Sequence, residues 1–207
     1  MNTRINPRGV FWEIFTLIGF GCVLFLIIQL AIQAVKVDGC SMYPTLHNKD
    51  YLIELKLPYY FSSPQRGDIV ILKYPENQSE NLIKRVIGLP GDRILIQGGK
   101  ISINGHILDE RYLQGYPTWT WFNSWPPSNQ SFQLAKDELF VMGDNRNDSK
   151  DSRIFGPVKR NSIEGKAWVR ILPLDRFGWI HGAAPYSTNQ CPPPQGDSSI
   201  PSTVGAG

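Results

Sequence analysis

Residues 93–108 read RILIQGGKISINGHIL, with Gly98-Gly99 and Asn104-Gly105 standing between alternating apolar segments. Those pairs are what two-residue hairpin turns with positive φ require, because a side chain there is sterically costly. The stretch predicts a β-meander. The pattern extends outward, with strands expected at Tyr51 to Leu57, Asp68 to Tyr74, Leu82 to Ile87, Arg93 to Gln97, Lys100 to Ile103, Glu138 to Met142 and Gly165 to Leu172. Gly, Pro and Asn punctuate these runs, and no amphipathic helix of convincing length lies among them. The expected fold class is mostly β, an antiparallel β region with a small β extension. Tyr112 to Ser131, YLQGYPTWTWFNSWPPSNQS, is aromatic, proline-bearing and aperiodic, and reads as a long loop or insertion.

Toward the N-terminus the character changes. Ile14 to Val35, IFTLIGFGCVLFLIIQLAIQAV, carries no charge over 22 residues. At helical rise that is roughly 33 Å, enough to cross a hydrocarbon core of about 30 Å. A cleaved secretory signal would have a shorter apolar core, and Ile32-Gln33-Ala34 is a poor cleavage site because its first position is bulky. The run reads as an uncleaved anchor with Gln29 and Gln33 near its outer end. Arg4 and Arg8 precede it and no cationic excess follows, so the positive-inside rule leaves the N-terminus in the cytoplasm and exports the rest. The expected organisation is 1–13 cytoplasmic, 14–35 transmembrane, 36–183 extracytoplasmic and β-rich (about 93–136 being the smaller subdomain and loop insertion), and 184–207 a disordered tail rich in Pro, Ser and Gly.

With 207 residues, 42% of them hydrophobic, the chain has material for one core or two small ones. A net charge of +3 without a long basic run gives no indication of a nucleic-acid partner. Cys22, Cys40 and Cys191 are an odd number without metal-ligand spacing, so neither a zinc site nor a disulfide framework is expected. Cys40 reads as a small buried residue. Short matches such as Gly196-Asp197-Ser198, Arg66-Gly67-Asp68 and the sequons at Asn77, Asn129 and Asn147 carry no weight on their own.

Histidine-dependent hydrolysis has weak support. His106 and His181 look like surface residues, and His47, six residues after Ser41, has no evident acidic orienter. Lysine can serve as a base if burial keeps it neutral. In Leu82-Ile83-Lys84-Arg85-Val86-Ile87, Lys84 shares its strand face with Leu82 and Val86 while Ile83 and Ile87 make the other face apolar. Lowering an amine from about 10.4 to about 8 requires roughly 3 kcal/mol, which an apolar site can supply. Snorkelling from a half-buried strand is the commoner fate of such a lysine. Ser41 follows Gly39, precedes Pro44 and lies just beyond the span, so its hydroxyl would work at the membrane surface; alone, it is only a turn signal.

Taken together, Gly39-Cys40-Ser41-Met42-Tyr43-Pro44-Thr45-Leu46, Arg66-Gly67-Asp68-Ile69-Val70, Ile83-Lys84-Arg85-Val86-Ile87-Gly88-Leu89-Pro90-Gly91-Asp92 and Met142-Gly143-Asp144-Asn145-Arg146 through Phe155-Gly156-Pro157-Val158 resemble the ordered boxes of type I signal peptidase. The similarity runs from about residue 10 to 173. It implies a single-pass membrane serine endopeptidase that cleaves signal peptides from exported preproteins after a small-x-small, Ala-x-Ala-like motif. Ser41 is then the nucleophile that becomes acylated, and Lys84 the general base. Ser149 matches the serine that orients the lysine. Asp144, Arg146, Asp151 and Arg153 match charged residues that pin the loop beside the dyad, and Met42, Leu46 and Ile83 match positions lining the shallow substrate pockets. No metal or organic cofactor is implied. Partners are preprotein signal peptides, the lipid bilayer of a bacterial plasma membrane or a thylakoid, and the export machinery.

One departure concerns the oxyanion hole, for which the Ser41 N–H is one donor. Where part of the family has a serine hydroxyl, this chain has Gly39, and the second donor is open. Trp119, Trp121, Phe122 and Trp125 have two readings, packing within the protein or seating in the membrane interface. Two rival functions remain at this stage: an anchored β-rich binding protein that kept the boxes without the activity, and a Ser/Lys self-cleaving regulator. The intact Ser41, Lys84 and Ser149 weigh against the first and the N-terminal span against the second.

Overall fold

A computed structural model describes residues 7–113, 118, 125–127 and 130–180. Helix α1 (Pro7–Ala31) carries Arg8 and Glu13 near its start and no charge after them, and its segment Phe11–Ala31 has a mean hydropathy of 2.5 with none of it buried against the rest of the protein. Those 21 residues span about 32 Å. Among the described residues it is the one helix long and apolar enough to cross a membrane.

The helix stops before the apolar run does. Residues 32–35, expected inside the span, belong to strand β1 (Ile32–Lys36), which pairs antiparallel with β2 (Tyr51–Leu55) from Ile32↔Leu55 to Lys36↔Tyr51. Hydropathy is continuous across Ala31, so only the strand partner, with β-branched Ile32 and Val35, marks the boundary. The Lys56 N–H donates to the Ala31 carbonyl at 2.9 Å, satisfying a helix-end acceptor and tying β2 to the end of the anchor.

The remaining strands are β3 (Ile69–Tyr74), β4 (Asn77–Gly88), β5 (Arg93–Gln97), β6 (Lys100–Ile103), β7 (His106–Ile107), β8 (Phe132–Gln133), β9 (Glu138–Met142), β10 (Val158–Lys159), β11 (Ile163–Leu172) and β12 (Gly178–Trp179). The main sheet runs β1-β2-β11-β3-β4-β9-β10 with β12 added to β11, and the second runs β7-β6-β5-β8. Every pairing is antiparallel, as the sequence pattern predicts. Two four-residue helices, α2 (Pro58–Phe61) and α3 (Ser152–Phe155), complete the frame.

Burial of both faces explains the unbroken Ile69-Val70-Ile71-Leu72 of β3. Ile69 and Ile71 join Val37, Met42, Leu46, Leu52 and Ala167 on one side, while Val70 and Leu72 join Val86, Leu139, Val141 and Val158 on the other. A third cluster, with Ile94, Ile96, Ile101 and Ile103, packs the second sheet against Ile87, Phe140 and Met142. Gly98, Gly99, Asn104 and Gly105 all have positive φ, so both expected turns form. Trp125 sits 3.9 Å, ring to ring, from Phe132 and packs toward Phe140, which makes it a packing residue. Trp119, Trp121, Phe122, His181 and the tail from 184 lie outside the described residues.

Gly88 marks the crossing of the two sheets. A Cβ there would stand 2.5 Å from Ile94 Cδ1 and 2.7 Å from Leu134 Cδ1. Gly88→Val should therefore overpack the junction, costing about 1–3 kcal/mol and lowering the melting temperature by several degrees. Thermal melts of the detergent-solubilised chain check this; an unchanged melt would mean that the second sheet does not bear on β4.

Candidate active site

The loop between β1 and β2 closes on itself at its base. The Val37 N–H donates to the Asp50 carbonyl at 2.8 Å, and the Lys49 N–H returns to the Val37 carbonyl at 2.9 Å. Asp50, wholly buried, accepts from the His47 N–H at 2.9 Å and pairs with Arg170 at 3.2 Å and Arg176 at 2.9 Å, fastening the loop to β11 and the segment after it. From the opposite side, the Asn145 N–H donates to the Ser41 carbonyl at 3.0 Å and Asn145 Nδ2 to the Cys40 carbonyl at 3.2 Å. Ser41 is thus gripped through its backbone, leaving its hydroxyl free to face β4.

Lys84, on β4 and 2% exposed, places Nζ 2.7 Å from Ser41 Oγ. Burial lowers its pKa to about 8, because a desolvated amine favours its neutral form. The nearby charges do not reverse this. Asp151, Asp144 and Asp148 favour the ammonium and Arg153 opposes them, but burial outweighs their sum; two of the carboxylates are themselves paired, Asp144 with Arg85 and Asp151 with Arg153. Burial pushes the Asp151 carboxyl up, but bonds from Arg153 and from the Gly143 N–H outweigh it and hold the group below its ordinary range.

The four charged residues expected to pin this loop do so partly with partners the sequence reading missed. Arg85 Nε and Nη2 clamp Asp144 at 2.8 and 2.6 Å, Thr45 Oγ1 donates to the same carboxylate, and the guanidinium lies 4.1 Å from the Tyr112 ring centroid. Arg146 pairs with Glu110 at 2.5 Å and donates to the Gly143 carbonyl at 2.9 Å. Arg153 makes a bidentate pair with Asp151, with Nε–Oδ1 and Nη2–Oδ2 both at 2.9 Å. The available signal was Arg85, a second cation in an otherwise apolar strand; Glu110 and Tyr112, in a different stretch of chain, carried none.

Met42 and Leu46 are fully buried in the cluster beside the dyad, and Ile83 packs on its margin, so these three come together. Ser149 is buried over Gly143, and its Oγ has no hydrogen-bond partner among the described residues. His47 is buried with its ring 5.2 Å from that of Tyr43; burial, seconded by Arg176, lowers its pKa. It has an acidic neighbour after all, but Asp50 accepts from the His47 backbone N–H. Cys40 corrects an expectation: it is half-buried and disulfide-bonded, while Cys22 in α1 is free. An odd cysteine count still allows one bridge. Among the described residues no three His, Cys, Asp or Glu side chains gather as a metal site.

Known proteins are similar to this chain over most of its length. The family described as signal peptidase, peptidase S26, matches residues 11–172. The chain belongs to that family. It is 40% identical over 169 residues to a signal peptidase I of Leptolyngbya laminosa, covering 78% of this chain and 79% of that protein. A signal peptidase I of Bacillus caldolyticus is 35% identical over 185 residues, 86% of this chain and 99% of its own. The human mitochondrial inner membrane protease subunit 1 is 32% identical over 180 residues, 85% and 93% respectively. Membership makes the protein a hydrolase of the signal peptidase I type, acting on the signal peptides of preproteins, and α1 is consistent with membrane anchoring.

Two predictions follow from the geometry of this signal peptidase site. Since the folded pKa of Lys84 is below its unfolded value, the unfolded chain binds more protons between pH 8 and 10.5, and the penalty is full below about pH 8. Lys84→Met should stabilise the fold at pH 7 by up to about 3 kcal/mol, the gain shrinking toward pH 10.5. Denaturant melts across that range check it; a destabilised variant at pH 7 would contradict the burial penalty. Gly143→Ala would drive a Cβ into Ser149 Cβ, 2.6 Å away, and against the Ser41 carbonyl. Cleavage should fall by about 10²-fold for such a displacement of the nucleophile, measured as turnover of a preprotein.

Proposed function

We propose that this signal peptidase cleaves preproteins with Ser41 as nucleophile and Lys84 as general base, after a small-x-small motif. The observation that carries the reading is the 2.7 Å separation of Lys84 Nζ and Ser41 Oγ within a site that lowers the lysine to about 8. Geometry and basicity then agree, as general-base catalysis needs.

In the reaction, neutral Lys84 takes the Ser41 proton as Oγ bonds to the scissile carbonyl carbon. The tetrahedral oxyanion collapses, the C–N bond breaks, and the Lys84 ammonium protonates the departing amine, the new N-terminus of the mature protein. Lys84, neutral again, takes a proton from a water that attacks the acyl ester, the ammonium returns that proton to Ser41 Oγ as the ester bond breaks, and the signal peptide leaves as a carboxylic acid that ionises in water. Ser149 serves as a positioning group for the lysine. An extended substrate adds a strand beside the enzyme's own, its small alternate side chains set against Ile83, which is partly exposed, while Met42 and Leu46 back that contact from within the core. The chain lies N-terminus in the cytoplasm with the β-rich region outside, a reading supported by Arg4 and Arg8 ahead of the span.

The test uses the detergent-purified chain on a preprotein with an Ala-x-Ala signal, the product N-terminus being read by mass spectrometry. Wild type should cleave after the second Ala, while Ser41→Ala and Lys84→Arg should be inactive, the latter because a guanidinium cannot become neutral. The wild-type kcat/KM should rise with pH through a limb centred near 8, as the neutral amine becomes populated. Cleavage by Ser41→Ala would falsify the assignment of the nucleophile.

A further inference from the structure

Acyl transfer at Ser41 places a negative charge on the former carbonyl oxygen, and donors must already point at it. Among the described residues the Ser41 N–H donates to no protein acceptor, so it is free for that oxygen. One N–H is a sparse hole, and most side-chain donors nearby are committed elsewhere. Thr45 Oγ1 is bonded to Asp144 and Asn145 Nδ2 to the Cys40 carbonyl, while His47 Nε2 and Ser149 Oγ, without hydrogen-bond partners among the described residues, are both buried.

Asn48 differs. It crosses the base of the catalytic loop, where its Oδ1 accepts the Gly39 N–H at 3.2 Å, the next link above the Val37–Asp50 and Lys49–Val37 bonds. An N–H can donate only to oxygen, so this bond sets which way the carboxamide faces and leaves Nδ2 with both hydrogens unspent on any described acceptor. Asn48 is half-exposed, whereas His47 and Asp50 on either side are buried. Gly39 has φ +90, and among the described residues a Cβ there would meet nothing within 4 Å, two residues from Ser41.

We infer that Asn48 Nδ2 is the second oxyanion donor, a catalytic residue that binds the tetrahedral intermediate together with the Ser41 N–H. The inference rests on Ser41 being the nucleophile. The role falls to the carboxamide because Gly39 has no side chain to offer, and the Gly39–Asn48 bond fixes the donor before substrate arrives.

Asn48→Asp separates catalysis from scaffolding: it keeps an oxygen for the Gly39 N–H and removes the donor, whereas Asn48→Ala removes both. With the full chain in detergent, both variants should lose about 10²- to 10³-fold in kcat with KM within about threefold of wild type, the usual cost of one oxyanion donor. The ascending pH limb should stay in place. A peptide boronate, whose adduct with Ser41 is tetrahedral, should bind more weakly by a similar factor, and an uncleavable reduced-amide peptide should bind as to wild type. Full activity of Asn48→Asp, whether or not Asn48→Ala is impaired, would overturn the inference by leaving Asn48 a strap only; so would a change confined to KM. Ser41→Ala run alongside keeps the two readings apart, since its activity would sink the nucleophile assignment itself.

Discussion

An amine stripped of water beside a serine hydroxyl is the condition on which the rest of this molecule depends. Lys84 in water would be a cation and useless as a base; at 2% exposure it sits near the pKa where proton exchange with Ser41 becomes feasible. Burial of that kind is costly, and β4 must be covered on both faces for it to persist. The antiparallel main sheet does so, with β3 beside β4 and apolar clusters above and below.

The charges near the amine obey the same constraint. An unpaired carboxylate a few ångströms away would restore the lysine's charge and an unpaired guanidinium would depress it further. Pairing Asp144 with Arg85 and Asp151 with Arg153 leaves four buried charged groups that fix the loop, and what pull the carboxylates, Asp148 included, still exert on the amine is outweighed by burial. Such pairs are weak evidence for stability, because desolvating them offsets much of their attraction. Their use here is positional. Asp151 holds the Gly143 N–H, Asn145 holds Ser41, and Gly143 is small enough for Ser41 and Ser149 to meet above it.

How much of this was legible in the sequence depended on the range of the interaction. Period-two alternation and the Gly98-Gly99 and Asn104-Gly105 turns are local, and they predicted β5 and β6 of the second sheet to the residue, whereas β8, a two-residue strand that joins from across the loop, was not anticipated. Lys84 was readable from its four apolar neighbours only as a candidate buried amine, with snorkelling the commoner fate, and its proximity to Ser41 was not readable at all, since no local pattern encodes a contact across 43 residues. The resemblance to a family supplied that link. The end of α1 was misread because Ile32 to Val35 are as apolar as the helix, and only pairing with β2 distinguishes them. Glu110 and Tyr112 escaped notice because their role exists only once the segment after the second sheet folds back over Arg146 and Arg85.

The early turn from helix to strand has its own consequence. Since β1 starts at Ile32 and the Ala31 carbonyl is held by Lys56, the sheet begins where the anchor ends, with no linker to let it tumble. A five-residue strand advances roughly 17 Å, and Ser41 lies on the loop that immediately follows. A signal peptide likewise has its cleavage site a short distance beyond its own apolar core. Two chains embedded in one bilayer would then present nucleophile and scissile bond at comparable heights before any side chain is read. On the proposed reading, distance from the membrane surface would then contribute to selectivity alongside the side chains that meet the substrate.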